Sequence, residues 1–222
     1  MADPSRRAEE KQATRSRIVE AAVQAFGGAT YATVGVEEIA RRAGVTTGAI
    51  YHHFDGKAGL FQAAAESVEE EIVRRLQSRD RNEDPWLDLL ESVSSALAIC
   101  MTPHVRQIAF IDAANVMGLG RWREIQARHG LGLLVSALVA LVDRGYISTR
   151  DPELLARMLL AALIEAAETC STSARGAEAV VEAEATLQRF LESLRSLNPA
   201  PATQVPRSAD GPGAAMPRAK SE

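Results

Sequence analysis

One short segment of the chain combines hydroxyl, aromatic and imidazole side chains with glycine in a helical pattern. Within residues 39–54, Ile50 and Phe54 are spaced i, i+4 and share a helix face that would meet a core. The residues that then face outward are Thr46, Thr47, Gly48, Tyr51 and His52. Hydroxyl groups and the N–H groups at a helix N-terminus bind phosphate, and small side chains allow close approach to a polyanion. These residue types predict non-covalent recognition rather than bond-making chemistry.

Catalytic and metal-binding patterns are missing from the sequence. It contains no G-x-S-x-G, Walker loop, H-E-x-x-H or Rossmann glycine pattern. Adjacent His52 and His53 diverge by about 100° around a helix and make a poor chelate. The carboxylates Glu69, Glu70 and Glu71 have the pattern of a solvated helix face. We therefore expect neither an enzyme nor a metal site, and no cofactor.

Three helices would position the outward-facing residues. The spacing of apolar residues predicts helices over residues 14–26, 36–43 and 46–54, and Gly44 can take the positive φ of a sharp turn between the last two. Two short helices joined by such a turn form a helix-turn-helix, whose second helix can enter the major groove of DNA. Because helices this short are unstable alone, we expect them to pack as one unit.

The remainder of the chain has the pattern of longer helices, without the alternation typical of strands. Asp84-Pro85, Thr102-Pro103 and Asp151-Pro152 each place an N-cap residue before a proline suited to the first helical turn. We predict an all-α fold of about nine helices. From residue 198 onward the sequence is rich in Pro, Ala, Gly and Ser, which predicts a disordered tail over 198–222.

Composition places the chain among ordinary globular proteins. Its 222 residues carry a formal charge of −4, with 46% apolar and 24% charged residues. No uninterrupted apolar run approaches the roughly 18–20 residues of a membrane helix, and the N-terminus lacks the apolar core of a signal peptide. Cys100 and Cys170 fit neither a disulfide framework nor a zinc site. These features predict a protein of the reducing cytoplasm.

A resemblance to a known family rests on the segment Val36–Phe54, followed by Asp55-Gly56-Lys57 and Leu60. This run resembles the DNA-binding domain of TetR-family transcriptional regulators, and the resemblance covers about residues 14–64. It implies an all-helical homodimer in which a three-helix domain reads DNA. It also implies that the C-terminal half binds an effector and dimerises.

The resemblance also implies roles for single residues of the helix-turn-helix. Thr47, Gly48, Tyr51 and His52 would lie at the DNA, Thr46 would cap the second helix, and Lys57 would contact phosphate. Gly35 departs from the family pattern, which usually has Ser or Thr there, and this removes a hydroxyl contact. For His53, Arg41 and Arg42, DNA contact and a plain surface position are both open.

The C-terminal helices carry candidate residues for an effector pocket. Large and polar side chains stand on or beside apolar stripes there, namely Trp86, Met101, Phe110, Asp112, Asn115 and Trp122. The alternative is that the aromatic residues are plain core. Asp112 would then pair with an arginine such as Arg106 or Arg121.

The last two long helices predict a dimer. Residues 154–167 are apolar around most of the helix circumference, and such a helix must be covered on both sides. Val180, Leu187 and Leu191 add a further apolar stripe. One chain covers one face, and a second copy would cover the other in a two-fold, four-helix interface. A deeply buried central helix in a monomer is the alternative.

These patterns divide the chain into three parts. We predict a helix-turn-helix DNA-binding domain over 1–57, in which residues 1–13 form a flexible arm, an effector-binding and dimerisation domain over 58–197, and the tail over 198–222. The predicted function is that of a repressor that binds a palindromic operator as a dimer and is released by a small molecule. The alternatives are a DNA-binding regulator without an effector, and a helical small-molecule-binding protein or enzyme.

Overall fold

A computed structural model describes residues 4–196 of the chain, and the predicted tail over 198–222 lies outside them. The described residues form helices and no strand. The helices are α1 (Pro4–Gly28), α2 (Val36–Ala43), α3 (Thr47–His53), α4 (Gly56–Gln77), α5 (Pro85–Cys100), α6 (Pro103–Val105), α7 (Ala113–Met117), α8 (Leu119–Asp143), α9 (Pro152–Thr172) and α10 (Ala177–Ser196). A π-helical segment (Arg106–Asp112) joins α6 to α7, so residues 4–196 form nine continuous helical stretches. The predicted all-α fold is confirmed.

The helix ends follow the local signals in the sequence. Gly44 ends α2 in the left-handed region with φ 66°, and the side chain of Thr46 accepts a hydrogen bond from the backbone N–H of Ala49 at 3.2 Å. Asp84 and Asp151 cap α5 and α9 in the predicted way. Thr102 is the exception, since its hydroxyl donates to the carbonyl oxygen of Ile99 at 2.7 Å instead of capping α6.

The N-terminal segment differs from the expected flexible arm over 1–13. Where the structure describes that segment, residues 4–13 belong to α1. Residues 6–13 are mostly strong helix formers, and Arg6 pairs with Glu10 one helical turn away at 3.0 Å. Local propensity therefore extends the first helix well upstream of residue 14.

Two apolar clusters hold the described helices together. The first buries Phe26, Ile39 and Ile50 of the helix-turn-helix unit together with Phe61 of α4 and Trp122 of α8. The second joins α5, the C-terminal half of α8, α9 and α10. The first cluster crosses residue 57, so the helix-turn-helix unit shares its core with the rest of the protein.

Helix α8 (Leu119–Asp143) is long and apolar enough to cross a membrane by length and composition alone. It is the one helix of this kind within residues 4–196. Its Trp122 and Ile125 are buried in the first apolar cluster, and Leu138 and Leu141 are buried in the second. We therefore interpret α8 as a core helix that connects the two clusters.

Candidate DNA interface and effector cavity

The second helix of the motif, α3, presents its N-terminal end and one face to solvent. Ile50 is fully buried and Phe54 nearly so, which fixes the rotation of the helix against the core. Thr46, Gly48, Tyr51 and His52 are exposed, and Thr47 is partly exposed. The Tyr51 side chain keeps 58% of its accessible surface although it is a large aromatic group. The structure thus brings the predicted α3 residues together on an accessible surface.

Lys57 lies beside this surface at the start of α4. Its ammonium group stands 4.4 Å from the centre of the Tyr31 ring and 3.5 Å from the carbonyl oxygen of Ala32. A cation over an aromatic ring is an attractive arrangement. These contacts hold Lys57 against the α1–α2 loop.

The charged residues of α2 mostly neutralise one another. Glu38 accepts hydrogen bonds from Arg42 and Arg41 at 2.7 and 2.8 Å, and these bonds hold the pKa of its carboxyl below the ordinary value. Both arginines therefore have a partner within their own helix. Gly35 is the N-cap of α2 and has an extended backbone, but glycine has no side chain that could cap the helix.

His53 lies at the side of α3 that turns toward the protein. It is partly exposed, and partial burial, together with the neighbouring charges of His52, Lys11 and Arg15, lowers the pKa of its imidazole. The ring is therefore mainly neutral at pH 7. Among residues 4–196, no group of three or more His, Cys, Asp or Glu side chains could hold a metal ion.

An apolar cavity of about 150 Å³ lies between α4, α5, α8 and α9, with Phe110 of the π-helical segment in its wall. Aliphatic side chains form most of the lining, including Ile72, Val93, Leu134 and Leu163. Two buried polar side chains, Glu69 and Gln126, also line it. The chain therefore encloses a site suited to a small and mainly apolar ligand.

Of the six predicted pocket residues, only Phe110 lines this cavity. Trp86 is buried in the second apolar cluster, where its indole N–H donates to Glu192 at 2.9 Å, and Trp122 is buried in the first. Asn115 donates to the carbonyl oxygen of Ile111, and Met101 is the C-cap of α5. Both tryptophans are thus core residues.

Asp112 has a different role from either prediction made for it. It does not line the cavity and does not pair with Arg106 or Arg121. Its carboxylate accepts a hydrogen bond from the backbone N–H of Tyr31 at 2.9 Å and another from the amide of Gln107 at 3.0 Å. Asp112 therefore ties the π-helical segment to the α1–α2 loop of the helix-turn-helix unit.

Glu69 is a cavity residue that the sequence interpretation missed. The run of three carboxylates at 69–71 predicts a solvated face, but Glu69 keeps only 6% of its accessible surface. It lies four residues after Ala65 and three before Ile72, both buried, so helical periodicity placed it on the apolar stripe of α4. The position of Glu69 on this apolar stripe could have predicted its burial.

This fold, with an exposed helix-turn-helix and a helical body, defines a DNA-binding transcriptional regulator. Residues 18–64 match the family model of bacterial regulatory proteins of the tetR family, and residues 86–194 match the tetracyclin repressor-like C-terminal domain. The chain belongs to the TetR family. Since regulators of this family are transcription factors, it is not an enzyme.

Individual relatives agree with this assignment. The HTH-type transcriptional regulator TtgR of Pseudomonas putida is 45% identical over 75 residues, which cover 32% of this chain and 36% of TtgR, so the match spans about a third of that relative. The HTH-type transcriptional repressor BepR of Brucella suis is 28% identical over 197 residues, covering 82% of this chain and 92% of BepR. A crystal structure of a TetR-family regulator from Pectobacterium atrosepticum superposes with a TM-score of 0.76 at 27% identity, covering 84% of this chain and 96% of that one.

Proposed function

We propose that the protein is a repressor that binds a palindromic operator as a homodimer and releases it when a small molecule fills the cavity. One observation carries the proposal. Phe110 in the cavity wall and Asp112 at the α1–α2 loop belong to the same seven-residue π-helical segment. Ligand binding and DNA reading would therefore meet on one short stretch of chain. Under this proposal the protein works in the cytoplasm, where the operator lies.

The proposed DNA contacts are Thr46, Thr47, Gly48, Tyr51, His52 and Lys57. The exposed N-terminal end of α3 supports this assignment, because free N–H groups and small side chains there can approach phosphate or a base edge closely. The fully buried Ile50 supports it further, since a rigidly packed helix holds its outer face in one orientation. Lys57 would reach phosphate by leaving its 3.5 Å contact with the carbonyl oxygen of Ala32.

Large apolar side chains exposed on the last two helices support the homodimer. Leu154 and Met158 of α9 keep 55% of their accessible surface each, and Val181 of α10 keeps 67%. A second copy placed on this face would bury these side chains in a two-fold interface. Such a dimer would present two copies of α3 to successive major grooves, roughly 34–36 Å apart or a little more.

The test is binding of the purified protein to its own upstream intergenic DNA at several salt concentrations. We expect a dimer whose affinity falls steeply with salt, because cationic side chains displace counterions from phosphate. Tyr51→Ala should weaken specific binding by about tenfold or more, by analogy with the loss of one good base contact. Arg150→Ala, which removes an exposed charge from the α8–α9 loop, is the matched control and should bind as the wild type does.

A selection from fragments of the whole genome extends the test to operators elsewhere. Enrichment of a palindromic site that Tyr51→Ala fails to enrich would support the proposal. If the wild type and Tyr51→Ala select the same DNA with equal affinity, the assignment of α3 as the reading helix is wrong.

A further inference from the structure

When Glu69 is ionised, the cavity contains two acceptor oxygens that no donor in the described chain satisfies. Oε1 of Glu69 and Oε1 of Gln126 are buried, and neither has a hydrogen-bond partner within residues 4–196. Glu69 comes from α4 and Gln126 from α8, and they keep 6% and 3% of their accessible surface. A buried acceptor without a donor costs free energy, so a ligand that brings donors gains more here than a purely apolar one.

The other titratable groups that line the cavity already have partners or carry no charge. Arg79 pairs with Asp88 at 2.5 Å and Arg81 pairs with the same carboxylate at 3.2 Å. Burial opposes ionisation of Asp88, but the bonds from Arg79 and from the Asn82 backbone outweigh it and lower the pKa of that carboxyl. Burial raises the pKa of the Cys100 thiol, which therefore stays neutral. Of the described lining groups, Glu69 is left as the one without a charged partner.

The remaining walls fix the size and polarity of the ligand. Both α5 and α9 contribute aliphatic side chains, such as Leu89, Leu160 and Ile164, and α9 contributes no titratable group. A cavity of about 150 Å³ is large enough for a single aromatic ring. The ligand thus has a small apolar body and one polar end.

We propose that the cavity binds a small lipophilic amine, whose ammonium group donates to Glu69 and Gln126 while its apolar part fills the space between α5 and α9. The inference rests on the proposed function, because it names the chemical class of the effector. An ammonium group matches the site better than a hydroxyl, since it supplies up to three donors as well as the missing positive charge. A carboxylate ligand would face the ionised form of Glu69 with like charge, so above pH 7 it should bind less well than the amine.

Binding of the amine should depend on pH in a defined direction. Burial raises the pKa of Glu69 to about 7, against a smaller opposing effect of the Gln126 side chain, so the empty cavity holds this carboxyl largely neutral below pH 7. An ammonium group beside it favours the charged form, so the amine displaces a proton when it binds below pH 7. Arg79 and Arg81 are already paired with Asp88, and burial keeps the Cys100 thiol neutral. Affinity for the amine should therefore rise between pH 6 and pH 8.

The test compares three probes of one size by calorimetry on the full chain without DNA. 2-Phenylethylamine carries the ammonium group, 2-phenylethanol replaces it with a neutral donor, and phenylacetate replaces it with an anion. At pH 8, where Glu69 is ionised, we expect the amine to bind about tenfold more tightly than the alcohol, and phenylacetate not to bind. Glu69→Gln should lower affinity for the amine to that for the alcohol and remove the pH dependence. Glu70→Gln, an exposed neighbour on the same helix, should leave all three affinities unchanged.

Several results would overturn the inference. One is equal binding of the amine and the alcohol to the wild type, and another is a preference for the amine that survives in Glu69→Gln. Failure of all three probes to bind at millimolar concentration also overturns it. Gln126→Leu keeps the test decisive if Glu69→Gln misfolds, because it removes the second acceptor and should also weaken amine binding.

The proposed function is tested separately by adding the amine to the protein–DNA complex. An amine that binds through Glu69 but leaves DNA affinity unchanged would support the ligand class and contradict ligand-controlled release. Release of DNA by the alcohol and the amine at equal concentrations would support release and contradict the ligand class.

Discussion

Replacing Glu69 by glutamine should make the protein more stable, and more so as pH rises. The carboxyl lies in an apolar cavity on α4 with one oxygen unsatisfied, and burial raises its pKa from the ordinary value of 4.5 to about 7. One pKa unit corresponds to about 1.4 kcal/mol. Holding Glu69 ionised in the folded protein above pH 7 therefore costs about 3 kcal/mol, and glutamine of nearly equal volume removes that cost.

The sign follows from the linkage between protons and folding. Because the folded pKa lies above the unfolded one, the folded state binds more protons between pH 4.5 and pH 7. The contribution of Glu69 to stability is thus retained at low pH and lost as pH rises through this window. Between pH 5 and pH 8, the free energy of unfolding of Glu69→Gln should rise relative to the wild type by about 2–3 kcal/mol.

Urea unfolding of both proteins at pH 5, 6, 7 and 8, followed by circular dichroism, measures this difference. Glu70→Gln is the matched control, because Glu70 is exposed and its replacement should change stability by less than about 0.5 kcal/mol at every pH. A stability difference between Glu69→Gln and the wild type that stays constant from pH 5 to pH 8 would refute the reasoning. It would mean that Glu69 reaches solvent or finds a donor in solution.

Three other substitutions test the packing, the motif and the proposed interface. Gly27→Ala would place a Cβ 2.4 Å from Cβ and 2.9 Å from Cα of His104, so α1 and α6 must separate, and we expect a loss of about 1–3 kcal/mol in thermal or urea unfolding. Thr46→Ala removes the α3 cap and should cost about 1 kcal/mol, with weaker DNA binding; Thr46→Ser should restore both. Met158→Glu puts a charge on the exposed face of α9 and should give monomers in sedimentation experiments. If the variant forms dimers as stable as those of the wild type, the dimer interface does not include this face.

The DNA-reading unit could be predicted because its signals are local. The positive φ at Gly44, the cap at Thr46 and the i, i+4 pair of Ile50 and Phe54 each depend on residues a few positions apart. Such features can be predicted without knowing how the rest of the chain folds. The same reasoning found the starts of α5 and α9 at their Asp-Pro pairs.

The sequence predicted a pocket among the C-terminal helices, but most of its lining could not be predicted, because the cavity exists only where α4, α5, α8 and α9 pack together. Trp86 and Trp122 are buried in the two apolar clusters, and most of the cavity lining is aliphatic. The run of three carboxylates predicted an exposed face, which is correct for Glu70 but wrong for the buried Glu69. The π-helical segment was not predicted either, because its residues continue the helical pattern of apolar positions and π-helical turns are rare.

The arrangement of α4 explains how a small ligand could act on DNA reading. The helix begins beside Lys57 at the proposed DNA interface and carries Glu69 in the cavity wall, about 18 Å further along at 1.5 Å per residue. Phe110 borders the same cavity, and Asp112 binds the loop whose Tyr31 ring supports Lys57. A ligand in this cavity would act on DNA reading only if it bound one arrangement of these walls more tightly than the other. Its effect on DNA affinity can be no larger than that difference in affinity between the two states, and both α4 and the π-helical segment would transmit it.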